Sequence, residues 1–230
     1  VLQEVQRGFV TNRWWLIGLA AISAVVYATL WFGWALGWSW VLGPDASTLA
    51  AAHRIGVEHH GWVTLWNAWC TVFSPVSFRV LALGLIAYAL KRRQPRVALF
   101  LFVSIELSAL VTEGAKRLAD RPRPDTALVF ASSTSFPSGH ALGSMVAVLA
   151  LAVVLLPLVR RDLRPWAMVV GAVIVLSVGI GRVALNVHHL SDVVAGWALG
   201  YLYFAVCLLI LPGAGVTAAD ETPAVPDSGP

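Results

Sequence analysis

ALGSMVAVLALAVVLLPLV, residues 141–159, contains no charged side chain. A run of about twenty apolar residues is the length at which an α-helix, rising 1.5 Å per residue, crosses the hydrocarbon core of a bilayer. Inside that core no water is present to pair with the backbone, so the run must satisfy its own N–H and C=O groups as a helix. Arg160, Arg161 and Arg164 close the stretch, and Pro137-Ser138-Gly139-His140 stands immediately before it.

The same reading, carried outward, finds five more such runs. They cover about Trp14–Leu36, Ser74–Leu90, Val97–Thr112, Trp166–Ile180 and His189–Leu211. The composition agrees: 58% of the 230 residues are hydrophobic and only 12% charged, against about 25% charged in soluble domains. The expected fold is therefore all-α, a six-transmembrane-helix bundle occupying residues 14–211 as one domain. Residues 1–13 alternate polar and apolar groups and are expected to form an interfacial segment. Residues 212–230 lack Lys and Arg, are rich in Pro, Ala and Gly, and are expected to be disordered. The first run is long and ends in no small-residue cleavage site, so it is expected to stay as an anchor.

Six crossings put both termini on one side. Arg7, Arg13, Lys91, Arg92, Arg93, Arg96, Arg160, Arg161 and Arg164 share that side, mostly in short connections, and the positive-inside rule makes it cytoplasmic. The opposite, extracytoplasmic side holds Arg54, Lys116, Arg117, Arg121, Arg123 and Arg182, most of them in a long polar loop from Lys116 to His140 between the third and fourth spans. No basic stripe with interleaved aromatics points to nucleic acid. Of the two cysteines, Cys207 lies in mid-span, which disfavours a disulfide or a thiolate-held metal.

Four segments on the outer side carry chemistry. Ser138 and Gly139 precede a long helix, whose first N–H groups lack internal partners and carry the positive end of the dipole. With no side chain at Gly139, an anion can approach that backbone closely. His188 and Asp192 are four residues apart, a spacing that puts two side chains on one helix face. A carboxylate accepting from one ring nitrogen leaves the other free to attack. Arg182 offers the planar fork that suits phosphate oxygens. Each element also has a purely structural reading, as a helix start or a buried His–Asp pair, but together they suit a phosphate ester.

Lys116-x6-Arg123-Pro124, Pro137-Ser138-Gly139-His140 and Arg182-x5-His188-x3-Asp192 resemble the three signature motifs of the type 2 phosphatidic acid phosphatase (PAP2) superfamily. The resemblance extends over about residues 14–211 and departs at Gly181, where the third motif usually has Ser. It implies a membrane lipid phosphatase in which His188 attacks phosphorus and Asp192 holds its ring. His140 then serves as acid and base, while Lys116, Arg123, Ser138, Gly139 and Arg182 bind the phosphate. It implies no metal and no cofactor, and a lipid in the bilayer as the partner. Polyprenyl diphosphate is the first substrate expected. Phosphatidate, phosphatidylglycerol phosphate and a phosphorylated polyprenyl sugar are the alternatives. A phosphotransferase using the same phosphohistidine, and a scaffold with a decayed site, are the rival classes.

Remaining polar residues are read as structural first. Trp62, Trp66 and Trp69 recur at helical spacing and are expected on an interfacial helix lying on the membrane. His53, Glu58, His59 and His60 lack a firm metal-ligand spacing. His189 is expected to point away from His188. Glu106, in mid-span, is expected to pair with Arg79 or a hydroxyl, and Glu113 with Lys116 or Arg117.

Overall fold

The computed structural model describes residues 13–211. The tail 212–230 and, Arg13 apart, the segment 1–13 lie outside the described residues. Among the described residues the elements are helices: α1 (Arg13–Ala35), α2 (Ser39–Glu58), α3 (His60–Val72), α4 (Pro75–Lys91), α5 (Pro95–Leu101), α6 (Ser108–Ala119), α7 (Gly139–Leu155), α8 (Arg164–Ala184) and α9 (Leu190–Ile210). A π-helical turn, Phe102–Glu106, joins α5 to α6. Among the described residues six helical stretches are long and apolar enough to cross a membrane, namely Arg13–Ala35, His60–Lys91, Pro95–Ala119, Gly139–Leu158, Arg161–Ala184 and Leu190–Ile210.

Helix starts follow local chemistry. Pro75 and Pro95 open α4 and α5, where a missing N–H costs nothing. The Ser74 hydroxyl accepts from the Ser77 N–H at 3.1 Å, and the Ser138 hydroxyl caps α7 by accepting from the Ala141 N–H at 3.5 Å. At α9, Asp192 accepts the His189 backbone N–H at 2.8 Å, which ties the helix start to the residue that follows His188.

Three expected boundaries move. The third span continues to Ala119 and the fifth to Ala184, so Lys116 and Arg182 sit on helices rather than in loops. Hydropathy marks the lipid-facing part of a helix, whereas the backbone ladder runs on past it into polar surroundings. The loop is correspondingly shorter, 120–138. The second span begins at His60, so the helix bearing the tryptophans is part of a membrane-crossing stretch, and Trp66 and Trp69 pack against α8. Trp69 donates to the Ser177 hydroxyl at 2.9 Å, and Trp66 fills the space beside Gly181, whose absent Cβ would stand 2.8 Å from the Trp66 ring. Ser177 and Gly181, one turn apart on α8, supply an acceptor and a recess that turn the indoles inward.

α9 packs most extensively on α1 and α7. Two glycines allow the α7 crossing: a Cβ at Gly196 would stand 2.6 Å from the Ser138 carbonyl oxygen, and one at Gly200 2.9 Å from that of Leu142. Below this crossing Phe78, Phe100, Leu101, Ala147 and Phe204 form a buried apolar core. α2 is not among the membrane-crossing stretches. It covers one end of the bundle, with Asp45 buried and His53 Nδ1 3.1 Å from the Thr126 carbonyl of the 120–138 loop. That end holds the C-termini of α6 and α8 and the N-termini of α7 and α9.

Gly196→Ala forces backbone apart at the start of α7 and is expected to cost about 1–3 kcal/mol, whereas Gly84→Ala, with open space around its Cβ position, is expected to be neutral or slightly stabilising. Thermal unfolding of the two variants in one detergent checks this.

Candidate active site

At the α2-covered end a cavity of about 420 Å³ is lined by Lys116, Arg123, Gly139, His140, Arg182 and His188, among others. These come from three helix ends, the 120–138 loop and the connection before α9, and the fold brings them around one space. Two of the expected residues stand behind it. Asp192 is fully buried under His188, and Ser138 is fully buried. The Ser138 hydroxyl is spent on the α7 cap and its N–H donates to the Asp192 carbonyl oxygen at 2.9 Å. Ser138 is thus a strut between α7 and α9, and its hydroxyl is not on the cavity wall as expected.

His188 and Asp192 meet by a route different from the one their spacing suggests. α9 begins at Leu190, so His188 precedes the helix and the two do not share a helix face. Asp192 is the third residue of α9 and reaches back as its cap. Its Oδ2 lies 3.5 Å from His188 Nδ1 and 3.1 Å from His189 Nδ1. Both histidines therefore face one carboxylate oxygen, and His189 does not turn away. On the other side of the His188 ring, Arg123 stands 3.2 Å from Nε2. A guanidinium only donates, so Nε2 presents its lone pair and the proton sits on Nδ1, toward Asp192. Two neighbours thus select one tautomer. Burial pushes the His188 imidazole down to about 3. Asp192 pulls the other way and Arg182 and Arg123 add to the lowering, so the ring is neutral at physiological pH.

The cations are held by backbone. Arg123 donates from Nε to the Ser133 carbonyl at 2.6 Å and from a terminal nitrogen to the Val187 carbonyl at 2.7 Å. Lys116 donates to the Thr134 carbonyl. The run Ser132-Ser133-Thr134-Ser135 is therefore a cradle for two of the three cations. Burial, with the Arg182 charge beside it, brings Arg123 down to about 10, which still leaves it charged at neutral pH. Arg182 is buried, and its Nε has no partner among the described residues. A Cβ at Gly139 would stand 3.1 Å from Thr112 and 3.9 Å from the Lys116 side chain, so the bare backbone lets Lys116 lie against the start of α7.

A scan against family models matches residues 97–215 to the PAP2 superfamily. The chain belongs to the PAP2 superfamily. It is 38% identical over 99 residues to "Phosphatidylglycerophosphatase B" of Bacillus subtilis, an alignment covering 41% of this chain and 48% of that protein. It is 33% identical over 132 residues to "Decaprenylphosphoryl-5-phosphoribose phosphatase" of Mycobacterium tuberculosis, covering 54% and 66%. The chain thus spans about half to two thirds of these relatives' length. Among solved structures, it is similar to the first transmembrane PAP2 type phosphatidylglycerolphosphate phosphatase from Bacillus subtilis, with a TM-score of 0.69 and 26% identity over 85% of this chain and 94% of that one.

Within this PAP2 site, the departure at Gly181 has a packing cause. A Cβ there would stand 2.7 Å from Cys70 Sγ and 2.8 Å from the Trp66 ring; these two side chains occupy the place a serine would need. Several residues escaped the sequence reading. Arg121, 2% exposed, donates to Asp192 Oδ1 at 2.7 Å, Asp45 Oδ2 at 2.8 Å and the Ser191 hydroxyl at 2.7 Å. Asp45 Oδ1 in turn accepts the Ser191 N–H at 2.8 Å. The signal available was Asp45 itself, a carboxylate near an apolar span, and the doubled Arg-Pro pattern at Arg121-Pro122-Arg123-Pro124. Arg79 also lines the cavity. Glu113 pairs with exposed Arg117 at 3.0 Å and not with Lys116. His53, Glu58, His59 and His60 do not gather: among the described residues no group of three or more His, Cys, Asp or Glu is placed to hold a metal.

Two outcomes are expected. Histidine-selective ¹⁵N NMR should find His188 neutral, protonated at Nδ1, across about pH 5 to 8, where an ordinary histidine changes charge; a midpoint near 6.5 contradicts the burial. Arg121→Met strands two buried carboxylates and is expected to cost about 3–5 kcal/mol, while Arg117→Met, at an exposed pair, is expected to cost under about 1 kcal/mol, read by thermal unfolding.

Proposed function

We propose that the protein is an integral membrane lipid phosphatase that cleaves a terminal phosphate monoester through a phosphohistidine. The observation carrying this reading is the gathering of Lys116, Arg123, Arg182, Gly139, His140 and His188, whose Nε2 lies 3.2 Å from Arg123, around one cavity. His188 Nε2 attacks phosphorus as the bond to the leaving lipid oxygen breaks. The Arg123 donor that rests on Nε2 transfers to a phosphoryl oxygen at that point. His140 gives the leaving oxygen a proton. It then takes one from water, which attacks phosphorus, breaks the P–N bond and frees phosphate. Lys116, Arg123 and Arg182 stabilise charge on the equatorial oxygens, the largest single contribution in such reactions. Asp192 stabilises the positive charge His188 acquires. Three fixed cations supply the charge a divalent ion would bring, so no metal is required in this reading.

The cavity lies at the bundle end opposite the connections bearing Lys91–Arg96 and Arg160–Arg164. The positive-inside rule supports a cytoplasmic side for those connections, and with it an extracytoplasmic site and both termini inside. The substrate class rests on the relatives. The names of both describe a terminal phosphate on a polyol, glycerol in one and ribose in the other, that is itself joined to a lipid. They support the monoester alternatives over polyprenyl diphosphate.

Phosphate release by the purified protein in detergent is expected to persist in EDTA and to fall at least about 10³-fold in His188→Ala. ³²P label should be trapped on His188 by an alkaline quench, as an adduct that is base-stable and acid-labile. His140→Ala should slow lipid-alcohol release about 10²–10⁴-fold but the first-turnover burst of p-nitrophenol far less, because that leaving group needs no proton. Undiminished turnover in His188→Ala sinks the mechanism. Phosphate release that needs an added hydroxyl acceptor makes the enzyme a transferase.

A further inference from the structure

The cavity extends beyond the phosphate cations. From Lys116 and His140 it continues between α4 and α6, past Thr112 and Ser108 on one side and Thr71 and Ser74 on the other, to Arg79. Glu106, at the end of the π-helical turn that precedes α6, lies within electrostatic reach of Arg79. Its backbone lies ten residues before that of Lys116, roughly 15 Å along the helix at helical rise, and the long side chains of Lys116 and Arg79 both line the one cavity. The π-helical turn Phe102–Glu106 is a distortion common at functional sites.

An arginine within a membrane span is costly, and its charge is ordinarily paired and its donors used. Here the charge is balanced while the donors are not. Arg79 Nε and Glu106 Oε1 are both buried without a hydrogen-bond partner, so the two groups neutralise one another at a distance and leave donors of Arg79 open to the cavity. The wall between the two cationic ends is hydroxylic. Thr112 and Ser108 donate to backbone carbonyls one turn earlier, which leaves their oxygens as acceptors for hydroxyls of a ligand.

We propose that Arg79, with Glu106 as counter-charge, is a second anion subsite for a phosphodiester on the leaving-group side of the scissile phosphate. This rests on the phosphatase reading above and sharpens it. With a monoester held at His188, the substrate must run from the bundle end toward the acyl region. A polyol follows the hydroxylic wall, and a second phosphate then meets Arg79. The subsite selects lipids in which two phosphates are separated by a polyol. A polyprenyl diphosphate, whose phosphates share one bridging oxygen, would place both among the upper cations and leave Arg79 unused. A phosphatidate has no second anion to offer.

The test compares kcat/KM of the full chain in detergent for phosphatidylglycerol phosphate, which has a glycerol between two phosphates, with that for phosphatidate. In Arg79→Gln the ratio of the two should fall at least about tenfold, through KM of the first substrate, the loss expected of one hydrogen bond to a charged group. The Arg79→Gln/Glu106→Gln double variant removes the lone carboxylate and should keep the altered ratio. A ratio unchanged in both variants, with the two substrates losing activity together, assigns Arg79 a structural role and overturns the subsite. A normal ratio regained in the double variant overturns it equally. p-Nitrophenyl phosphate serves as the control for chemistry. If the wild type releases no phosphate from any of the three, the phosphatase reading itself falls, and the subsite with it.

Discussion

Four groups converge on the carboxylate of Asp192, and the geometry of the whole site hangs on it. Oδ1 takes a guanidinium N–H of Arg121; Oδ2 faces the His189 backbone N–H and both imidazoles. A buried carboxylate is stable only when its charge is compensated and its lone pairs filled, and here the 120–138 loop supplies the counter-charge and the connection before α9 the remaining partners. Arg121 arrives from the loop after α6, and it can do so because Asp45 of α2 takes its second nitrogen at 2.8 Å. One ionic chain, Asp45–Arg121–Asp192, thereby joins the covering helix, the loop and the start of α9. The face of Trp34 lies 4.8 Å from the Arg121 guanidinium and adds α1 to the same junction.

The upper part of the site is built on a different economy. Among the described residues, neither Lys116 nor Arg123 has a carboxylate in contact. Carbonyl oxygens of Ser133, Thr134 and Val187 hold them instead. A carbonyl orients a cation without cancelling it, so positive potential remains in the cavity. Had acidic side chains done the same work, the anion would face a neutral wall.

Much of this was legible in the sequence, for identifiable reasons. The spans follow from composition and length, because a membrane helix has no other way to satisfy its backbone. The cations and histidines stood out because polar groups beside apolar runs are rare. The route by which they meet was less visible. Spacing suggested His188 and Asp192 on one helix face, yet the pair forms by a helix cap reaching backward, and no periodicity distinguishes the two. Trp62, Trp66 and Trp69 carry a pattern shared by interfacial and buried helices; only Ser177 and Gly181, over a hundred residues away, decide between them. Asp45 and Arg121 were invisible as partners for the same reason, since their pairing depends on how α2 folds over the bundle.

Arg123 shows what such economy entails. One terminal nitrogen donates to the Val187 carbonyl and rests against His188 Nε2, while Nε holds Ser133. In the proposed mechanism, the residue that recognises the anion also fixes the backbone from which the nucleophile hangs. Ligand recognition and nucleophile placement are therefore mechanically one variable at this position. Shortening or neutralising this side chain disturbs both together, and no kinetic constant measured on such a variant can be divided cleanly between them.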